Sequence, residues 1–206
     1  MESDKNISTE QKILETAERL FLDKGFALTT TTEIAREAGC NQALVHYYFR
    51  TKENLFRQIY EQKMRLFATT FLVSGNDAGT FEEKLHRKIG AHFDMLRKNP
   101  KLPFLIVNEL LTNPSRIDLF RESLTVHISG VIAQIETELQ QEIAQGRIRP
   151  ISASDLLMNV LSLDVFLFLS LPLTTRLLRI PEKQREQFVE HRKEEIITTV
   201  IQSLRP

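Results

Sequence analysis

The sequence TTTEIAREAGCNQALVHYYFRTKENLF, which runs from Thr30 to Phe56, decides the fold. It predicts a helix, a tight turn at Gly39, a second helix and the start of a third, because glycine adopts a positive φ without steric cost. Thr30 is followed three residues later by Glu33, which is the spacing of a capping box at the first helix. Asn41 is a favourable N-cap for the second helix.

The second of these helices has only two apolar anchors. Val45 and Phe49 are four residues apart and therefore point to the same side. The other faces carry Gln42, Ala43, Leu44, His46, Tyr47 and Tyr48. Such a helix suits a DNA major groove. The alternative is an ordinary helical hairpin inside a core, since a glycine between two helices is common and the pattern alone is a weak signal.

The run HYYFRTKENLF, His46 to Phe56, favours the DNA-binding alternative. The matching positions are Thr31, Ile34, Ala35, Ala38, Gly39, Val45, Tyr48, Phe49, Lys52 and Leu55. On these residues the chain closely resembles the N-terminal domain of the TetR family of bacterial transcriptional regulators, and the resemblance extends back to Glu10. Cys40 and Asn41 replace the usual valine and serine, and His46 stands where the family most often has tyrosine.

The resemblance implies an all-α fold with an N-terminal three-helix, homeodomain-like helix-turn-helix domain at 1–56. A helical ligand-binding and dimerisation domain is expected at 57–206. We predict that Gln42 contacts adenine and that Ala43 and Leu44 touch thymine methyl groups. The DNA-binding residues are predicted to be Thr30, Thr31, Thr32, Asn41, Gln42, Ala43, Leu44, His46, Tyr47, Tyr48 and Lys52. Tyr47, Tyr48 and Lys52 are the expected phosphate contacts, which position rather than specify.

Composition sets limits on these expectations. The chain of 206 residues is 42% hydrophobic and 26% charged, as is usual for a globular protein. Its formal net charge is zero, which argues against a simple electrostatic DNA binder. Basic residues cluster only locally, at Arg36, Arg50, Lys52 and Arg57. A single cysteine, Cys40, and a polar N-terminus favour a cytoplasmic protein without a disulfide framework.

Further helices are expected along the rest of the chain. The first is predicted from Thr9 to Lys24, with a stop at Gly25, and the next from Thr51 to about Leu72. Two more are expected to start at Thr80 and near Pro103, and the longest is expected from Arg116 to Gln145. An apolar helix that ends at Pro172 and a last helix after Pro181 complete the prediction. The segment SGNDAG between the second and third of these is predicted to be a loop.

The segment from Leu156 to Leu173 is apolar almost all round. A membrane span is one interpretation, but the run is shorter than the roughly 20 residues required. It also contains Asn159, Asp164 and Ser170, and a charge inside a membrane is costly. We therefore predict no membrane partner and a helix buried on two sides, with Asp164 paired. One side would face a second subunit, so that this helix and Phe188 to Leu204 form a homodimer, as the resemblance also implies.

The longer helices place aromatic or polar side chains inside otherwise aliphatic stripes. They predict a pocket for a small apolar or amphipathic effector, formed by Phe67, Phe93, Phe104, Asn108, His127 and Phe166. The alternative is that the phenylalanines fill the core and that His127 is a hydrogen-bonded core residue. The five histidines show no metal-ligand spacing, so neither a metal nor a cofactor is expected.

Two functional classes remain at this point. One is a ligand-responsive regulator, expected by analogy with the family to be a repressor that binds a palindromic DNA operator as a homodimer. The other is an enzyme or partner-binding helical module that carries the same fold. Specific, salt-sensitive binding to a palindrome would discriminate between the two classes.

Overall fold

The computed structural model describes residues 8–73, 78–112 and 115–206, which form helices joined by short turns and loops. Within them, only the backbone is described at 64–69, 71–73, 109, 115–120, 122–128 and 131. The helices are α1 (Thr9–Leu28), α2 (Thr31–Glu37), α3 (Gln42–Phe49), α4 (Lys52–Val73), α5 (Phe81–Lys98), α6 (Leu102–Thr112), α7 (Ser115–Ala144), α8 (Ala153–Leu177) and α9 (Arg185–Gln202). A short 3₁₀ turn, Glu182–Gln184, precedes α9. The predicted all-α class is confirmed.

The chain divides into two compact units. The first contains Met1–Met64 and Phe104–Asp118, and the second contains Arg65–Pro103 and Leu119–Pro206. Residues of α6 therefore belong to the first unit, where Leu105 is part of the buried core. The division of function after residue 56, which lies inside α4, stays a prediction.

The core of the first unit is built on α1. Ile13, Ala17 and Phe21 recur along one side of this helix and are fully buried. The ring of Phe21 meets Phe56 edge-on at 5.2 Å, and Phe26 meets the same ring at 5.0 Å. The helix leaves helical geometry at Gly25, with φ at +80°, but a further turn follows to Leu28 rather than the stop predicted at Lys24.

Side-chain caps begin the predicted helices. The Thr30 hydroxyl accepts a hydrogen bond from the Glu33 amide at 3.2 Å. The reciprocal half of that capping box is not formed, because the Glu33 carboxylate pairs with Lys24 on α1. At α5 both halves are present: the Thr80 amide donates to the Glu83 carboxylate at 2.8 Å, and the Thr80 hydroxyl accepts from the Glu83 amide at 3.2 Å.

In the second unit α5 packs against α8 and α9. Across the α5–α8 contact, His92 Nδ1 lies 2.6 Å from Asp164 Oδ2, and both side chains are fully buried. The partner predicted for Asp164 is therefore present. Desolvation raises the pKa of Asp164, and the hydrogen bond and charge of His92 act in the opposite direction. The aromatic rings of Phe93 and Phe168 pack beside this pair, 5.1 Å apart.

Pro172 does not end α8, and that prediction was wrong. The helix continues to Leu177, although proline removes one amide donor from its interior. Thr175 is buried and its hydroxyl donates to the Leu171 carbonyl at 2.8 Å. The burial of the residues that follow the proline thus stabilises the helix by more than the missing backbone hydrogen bond costs.

The two sides of α8 differ in burial. Leu156, Val160, Asp164, Leu167 and Phe168 are buried within the second unit, as predicted for one side of the helix. The exposed apolar residues are Met158, Phe166, Leu173 and Leu177. By length and composition alone α8 could cross a membrane, with a mean hydropathy of 2.0. Its other side packs against α5 and carries the buried Asp164–His92 pair.

Candidate nucleic-acid interface

The geometry of α3 is fixed at both its N-terminus and its buried side. Asn41 caps it, and the side-chain oxygen accepts from the Leu44 amide at 2.9 Å. Val45 and Phe49 are buried in the core of the first unit, where α2 packs against α3. Gln42, Ala43, His46, Tyr47 and Tyr48 are exposed. The short helix thus presents polar and aromatic groups on a rigid support, as the sequence predicted.

Leu44 differs from the other predicted base contacts. It is half-buried and packs against the core of the first unit, so only part of its side chain is accessible. Ala43, next to it, is exposed. Of the predicted pair of thymine contacts, Ala43 is thus the more accessible one. Thr30 and Asn41 act as caps, and their side-chain oxygens are engaged by backbone amides.

A hydrogen-bonded group links the start of α2 to α3. The Gln42 side-chain amide donates to the Thr31 hydroxyl at 3.1 Å, and the Thr32 hydroxyl donates to the Gln42 oxygen at 3.3 Å. Gln42 Nε2 also lies 3.5 Å from His46 Nε2. The other ring nitrogen of His46, Nδ1, lies 3.0 Å from the carbonyl oxygen of Arg50. Hydrogen bonds therefore connect Gln42 and His46, which are predicted to contact bases, with the threonines at the start of α2.

The chain leaves α3 through a strained turn at Arg50. This residue has φ +64° and ψ −56°, and the Thr51 amide donates to the Phe49 carbonyl at 2.7 Å. These values define a γ-turn, which is rare for a residue with a side chain. The sequence does not predict this turn, because arginine gives no signal for a positive φ.

Lys52 connects α4 to the end of α1. Its ammonium lies 3.0 Å from the carbonyl oxygen of Phe26 and 2.9 Å from that of Thr29. The same ammonium sits 4.1 Å from the centre of the Phe26 ring, within cation–π range. The side chain is half-buried. Lys52 therefore supports the fold of the first unit, whatever it contacts on DNA.

Acidic groups near the interface are paired with cations. On α2, Glu37 pairs with Arg19, and this hydrogen bond lowers the pKa of Glu37. Glu33 pairs with Lys24, as described above. Tyr47 and Tyr48 pack edge to face, 5.2 Å apart, and add two phenol groups to the surface. Both carboxylates of α2 are thus paired with cations of α1.

The residues predicted for an effector pocket lie in different environments. Phe93 is fully buried against Phe168 in the second unit, whereas Phe166 is 68% exposed. Phe104 and Asn108 belong to the first unit, where Phe104 is exposed and Asn108 is half-buried. The side chains of Phe67 and His127 lie outside the described residues. The effector pocket therefore stays a prediction.

A small apolar cavity occurs elsewhere in the second unit, beside α5, α7 and α8. Its volume is about 20 Å³, which holds about one water molecule. Its lining residues are Phe81, Lys84, Leu85, Lys88, Ile89, Ile135, Glu138, Leu156, Leu157 and Val160. Burial lowers the pKa of Lys88, partly offset by Glu138.

Together, a capped and exposed α3 on a helix-turn-helix support and a separate helical unit define a DNA-binding transcriptional regulator. Family comparisons agree. The model for bacterial regulatory proteins of the tetR family matches residues 13–59. The model for the tetracyclin repressor-like C-terminal domain matches residues 82–200, more than half of the chain. The chain belongs to the TetR family of bacterial transcriptional regulators.

Individual relatives support the same class. The chain is 25% identical over 138 residues to the fatty acid metabolism regulator protein of Bacillus subtilis, covering 67% of this chain and 70% of that one. The fold is similar to that of SCO4942, a transcriptional regulator of Streptomyces coelicolor, with a TM-score of 0.69, 20% identity and coverage of 97% and 100%. It is also similar to HlyIIR, a hemolysin II transcriptional regulator, with a TM-score of 0.64, 22% identity and coverage of 96% and 97%. Membership of a family of transcriptional regulators decides between the two classes left open by the sequence in favour of the regulator.

Proposed function

We propose that this regulator is a cytoplasmic repressor that binds a palindromic operator as a homodimer and releases it when a small apolar or amphipathic molecule binds. The observation that carries the proposal is the exposed apolar stripe of α8. Phe166, Leu173 and Leu177 are 68%, 60% and 71% exposed. They are separated by seven and four residues and therefore share one side of the helix.

The stripe supports a homodimer for two reasons. Contiguous exposed apolar surface usually marks an interaction site, and the opposite side of α8 is already occupied by the core of its own unit. In addition, α9 packs beside α8 and extends the surface available to a symmetry mate. Two copies of α8 and α9 would form a four-helix interface around a two-fold axis.

A two-fold dimer accounts for the palindromic operator. Two copies of α3 would enter two successive half-sites, about one DNA turn or somewhat more apart. Within each half-site we propose that Gln42, Ala43 and His46 face base edges. Tyr47, Tyr48 and the remaining donor of Lys52 would hold phosphates.

The chemistry of the effector is supported by a relative. The B. subtilis protein that aligns with two thirds of this chain is named for the regulation of fatty acid metabolism. A long-chain amphipathic carboxylate would meet the apolar side chains on the buried sides of α5 and α8. Such a ligand lowers operator affinity because it binds more tightly to the conformation that does not bind DNA. The largest possible loss of operator affinity equals the difference between the ligand's binding free energies for the two conformations.

The proposal is tested with the purified full-length chain and a library of randomised DNA duplexes. We expect enrichment of one inverted repeat, bound by two chains per duplex in sedimentation experiments. Fatty acids of increasing chain length should then release the duplex, measured by fluorescence anisotropy, and the matched alcohols serve as uncharged controls. A promoter that overlaps the enriched sequence should give more transcript when the gene for the regulator is deleted.

Each part of the proposal has its own contradicting result. Binding of one chain to a non-repeated sequence would refute the homodimer on DNA. Release by neither acids nor alcohols would refute the effector class, and a fall in transcript after deletion would refute repression.

A further inference from the structure

The position of His46 on α3 determines which of its nitrogens carries a proton in the neutral ring. Nδ1 lies 3.0 Å from the carbonyl oxygen of Arg50, and a carbonyl only accepts hydrogen bonds. Nδ1 therefore carries the proton, and Nε2 is the acceptor. This acceptor faces Gln42 Nε2 at 3.5 Å.

Neutral His46 in turn fixes the orientation of the Gln42 amide. The NH₂ group of Gln42 has two hydrogens, one directed to the Thr31 hydroxyl and the other towards His46. The Gln42 oxygen accepts from the Thr32 hydroxyl and keeps a second lone pair. What Gln42 then offers to a base is a hydrogen-bond acceptor.

A proton on His46 Nε2 makes this arrangement unfavourable, because two donors would face each other. Rotation of the Gln42 amide by half a turn restores complementarity. The oxygen then accepts from His46 and from Thr31, and the NH₂ group donates to Thr32. Both threonine hydroxyls tolerate the reversal, since a hydroxyl donates and accepts. One hydrogen of the NH₂ group is left over, so what Gln42 offers to a base becomes a donor.

We propose that protonation of His46 reverses the amide of Gln42 and thereby changes the base that this regulator prefers at one position of each half-site. This inference rests on the base-reading role proposed for α3. In the major groove, adenine and cytosine present amino donors, whereas guanine and thymine present carbonyl acceptors. Neutral His46 therefore favours an amino base opposite Gln42, and charged His46 favours a keto base.

The carboxylates of α2 and the ammonium of Lys52 on α4 are engaged with other partners. On α2, Glu33 and Glu37 pair with Lys24 and Arg19 of α1, and Arg36 lies 3.6 Å from Glu37. Lys52 of α4 binds the carbonyl groups of Phe26 and Thr29. Arg50, at the end of α3, supplies the carbonyl that holds Nδ1. Among the described residues, the hydrogen-bond partners of the Gln42 amide besides His46 are the uncharged Thr31 and Thr32.

The test is a selection of duplexes by the full-length protein at about pH 5 and about pH 8, the range over which histidine changes charge. We expect one symmetric pair of positions to change from adenine or cytosine at high pH to guanine or thymine at low pH. The expected change is about two- to ten-fold in relative affinity, which corresponds to a single hydrogen bond. Other positions should keep their preference.

Variants assign the effect to the proposed pair. His46→Gln and Gln42→Ala should each remove the pH-dependent change of base. His86→Gln, at a surface histidine of α5, should retain it. A base preference that is constant with pH in the wild-type protein would overturn the inference while leaving the proposed DNA reading intact, and so would a change that survives in His46→Gln. Failure to enrich any duplex at either pH would overturn both.

The ring nitrogens can also be observed without DNA. Nitrogen-15 chemical shifts of His46 at high pH should identify Nδ1 as the protonated nitrogen, and the Gln42 side-chain amide resonances should differ between high and low pH. A neutral ring protonated at Nε2 would overturn the inference.

Discussion

The ammonium of Lys52 lies 2.9 Å from the carbonyl oxygen of Thr29, which joins the first residue of α4 to the segment before α2. A second bond reaches the carbonyl of Phe26, whose ring lies beneath the same ammonium. Since an ammonium has three donors, one remains for a phosphate. Lys52 can therefore stabilise the fold and contact DNA at the same time.

Substitution of Lys52 by Met should lower the free energy of unfolding by about 1–2 kcal/mol, because two charge-assisted hydrogen bonds are lost at a half-buried position. Urea unfolding followed by circular dichroism measures the change. Lys12→Met, at an exposed position of α1, is the matched control and should change stability by less than about 0.5 kcal/mol.

The same Lys52→Met variant tests the phosphate contact separately. If the third donor of Lys52 binds a phosphate, the slope of log affinity against log salt should become shallower by about 1 for each lost contact. Affinity should fall alike for all sequences. A loss of stability with an unchanged salt slope would show that Lys52 acts on the fold alone.

Arg50→Gly should stabilise the protein by about 1 kcal/mol. A strained positive φ costs the folded state roughly 1–3 kcal/mol in a residue with a side chain, and glycine removes this cost. Glycine also raises the conformational entropy of the unfolded chain, which lowers the net stabilisation by about 0.4–1 kcal/mol. The readout is the midpoint of urea unfolding. Arg36→Gly, an exposed arginine inside α2, should instead destabilise by about 1 kcal/mol. Equal losses in both variants would contradict the strain.

Features set by neighbours in sequence were predictable. The caps of Thr30 and Asn41 and the burial of Val45 and Phe49 depend on spacings of three and four residues, which a helix places in contact whatever surrounds it. The pairing of Asp164 was also predictable, because an apolar helix cannot bury a carboxylate without a partner. The identity of that partner, His92, was not, since 72 residues separate the two in the chain.

Features set by tertiary packing were missed. The two carbonyl acceptors of Lys52 belong to residues 23 and 26 positions earlier, and no local pattern brings them together. Pro172 was expected to end a helix because of its missing amide donor, but the burial of Thr175 continues the helix past it. Neither feature follows from a pattern of neighbouring residues alone.

Asp164→Asn should flatten the pH dependence of stability. Burial raises the pKa of Asp164, so the folded protein binds a proton that the unfolded chain has already released. The stability from this carboxyl is therefore complete below about pH 4, the usual aspartate pKa, and is lost as pH rises through the raised value. Asparagine removes this loss but can still accept from His92 Nδ1. Urea unfolding at several pH values measures the slope.

Two further variants serve as comparisons for the pH slope of Asp164→Asn. Glu195→Gln removes an exposed carboxylate of α9 and should keep the wild-type pH slope. Asp164→Ala leaves His92 buried without this acceptor and should cost about 3–5 kcal/mol near neutral pH. A slope in Asp164→Asn equal to that of the wild-type protein would contradict the role of this carboxyl.

Phe166→Glu should convert the proposed homodimer into monomers and abolish operator binding. The side chain lies in the exposed apolar stripe of α8, so in a dimer through α8 and α9 the glutamate would be buried against its own symmetry mate. Two like charges taken out of water together oppose association strongly. Leu28→Glu, which changes an apolar residue that is 70% exposed on α1, should remain dimeric. Sedimentation equilibrium at micromolar concentration measures both variants. A dimer in Phe166→Glu as stable as in the wild-type protein would place the subunit interface elsewhere.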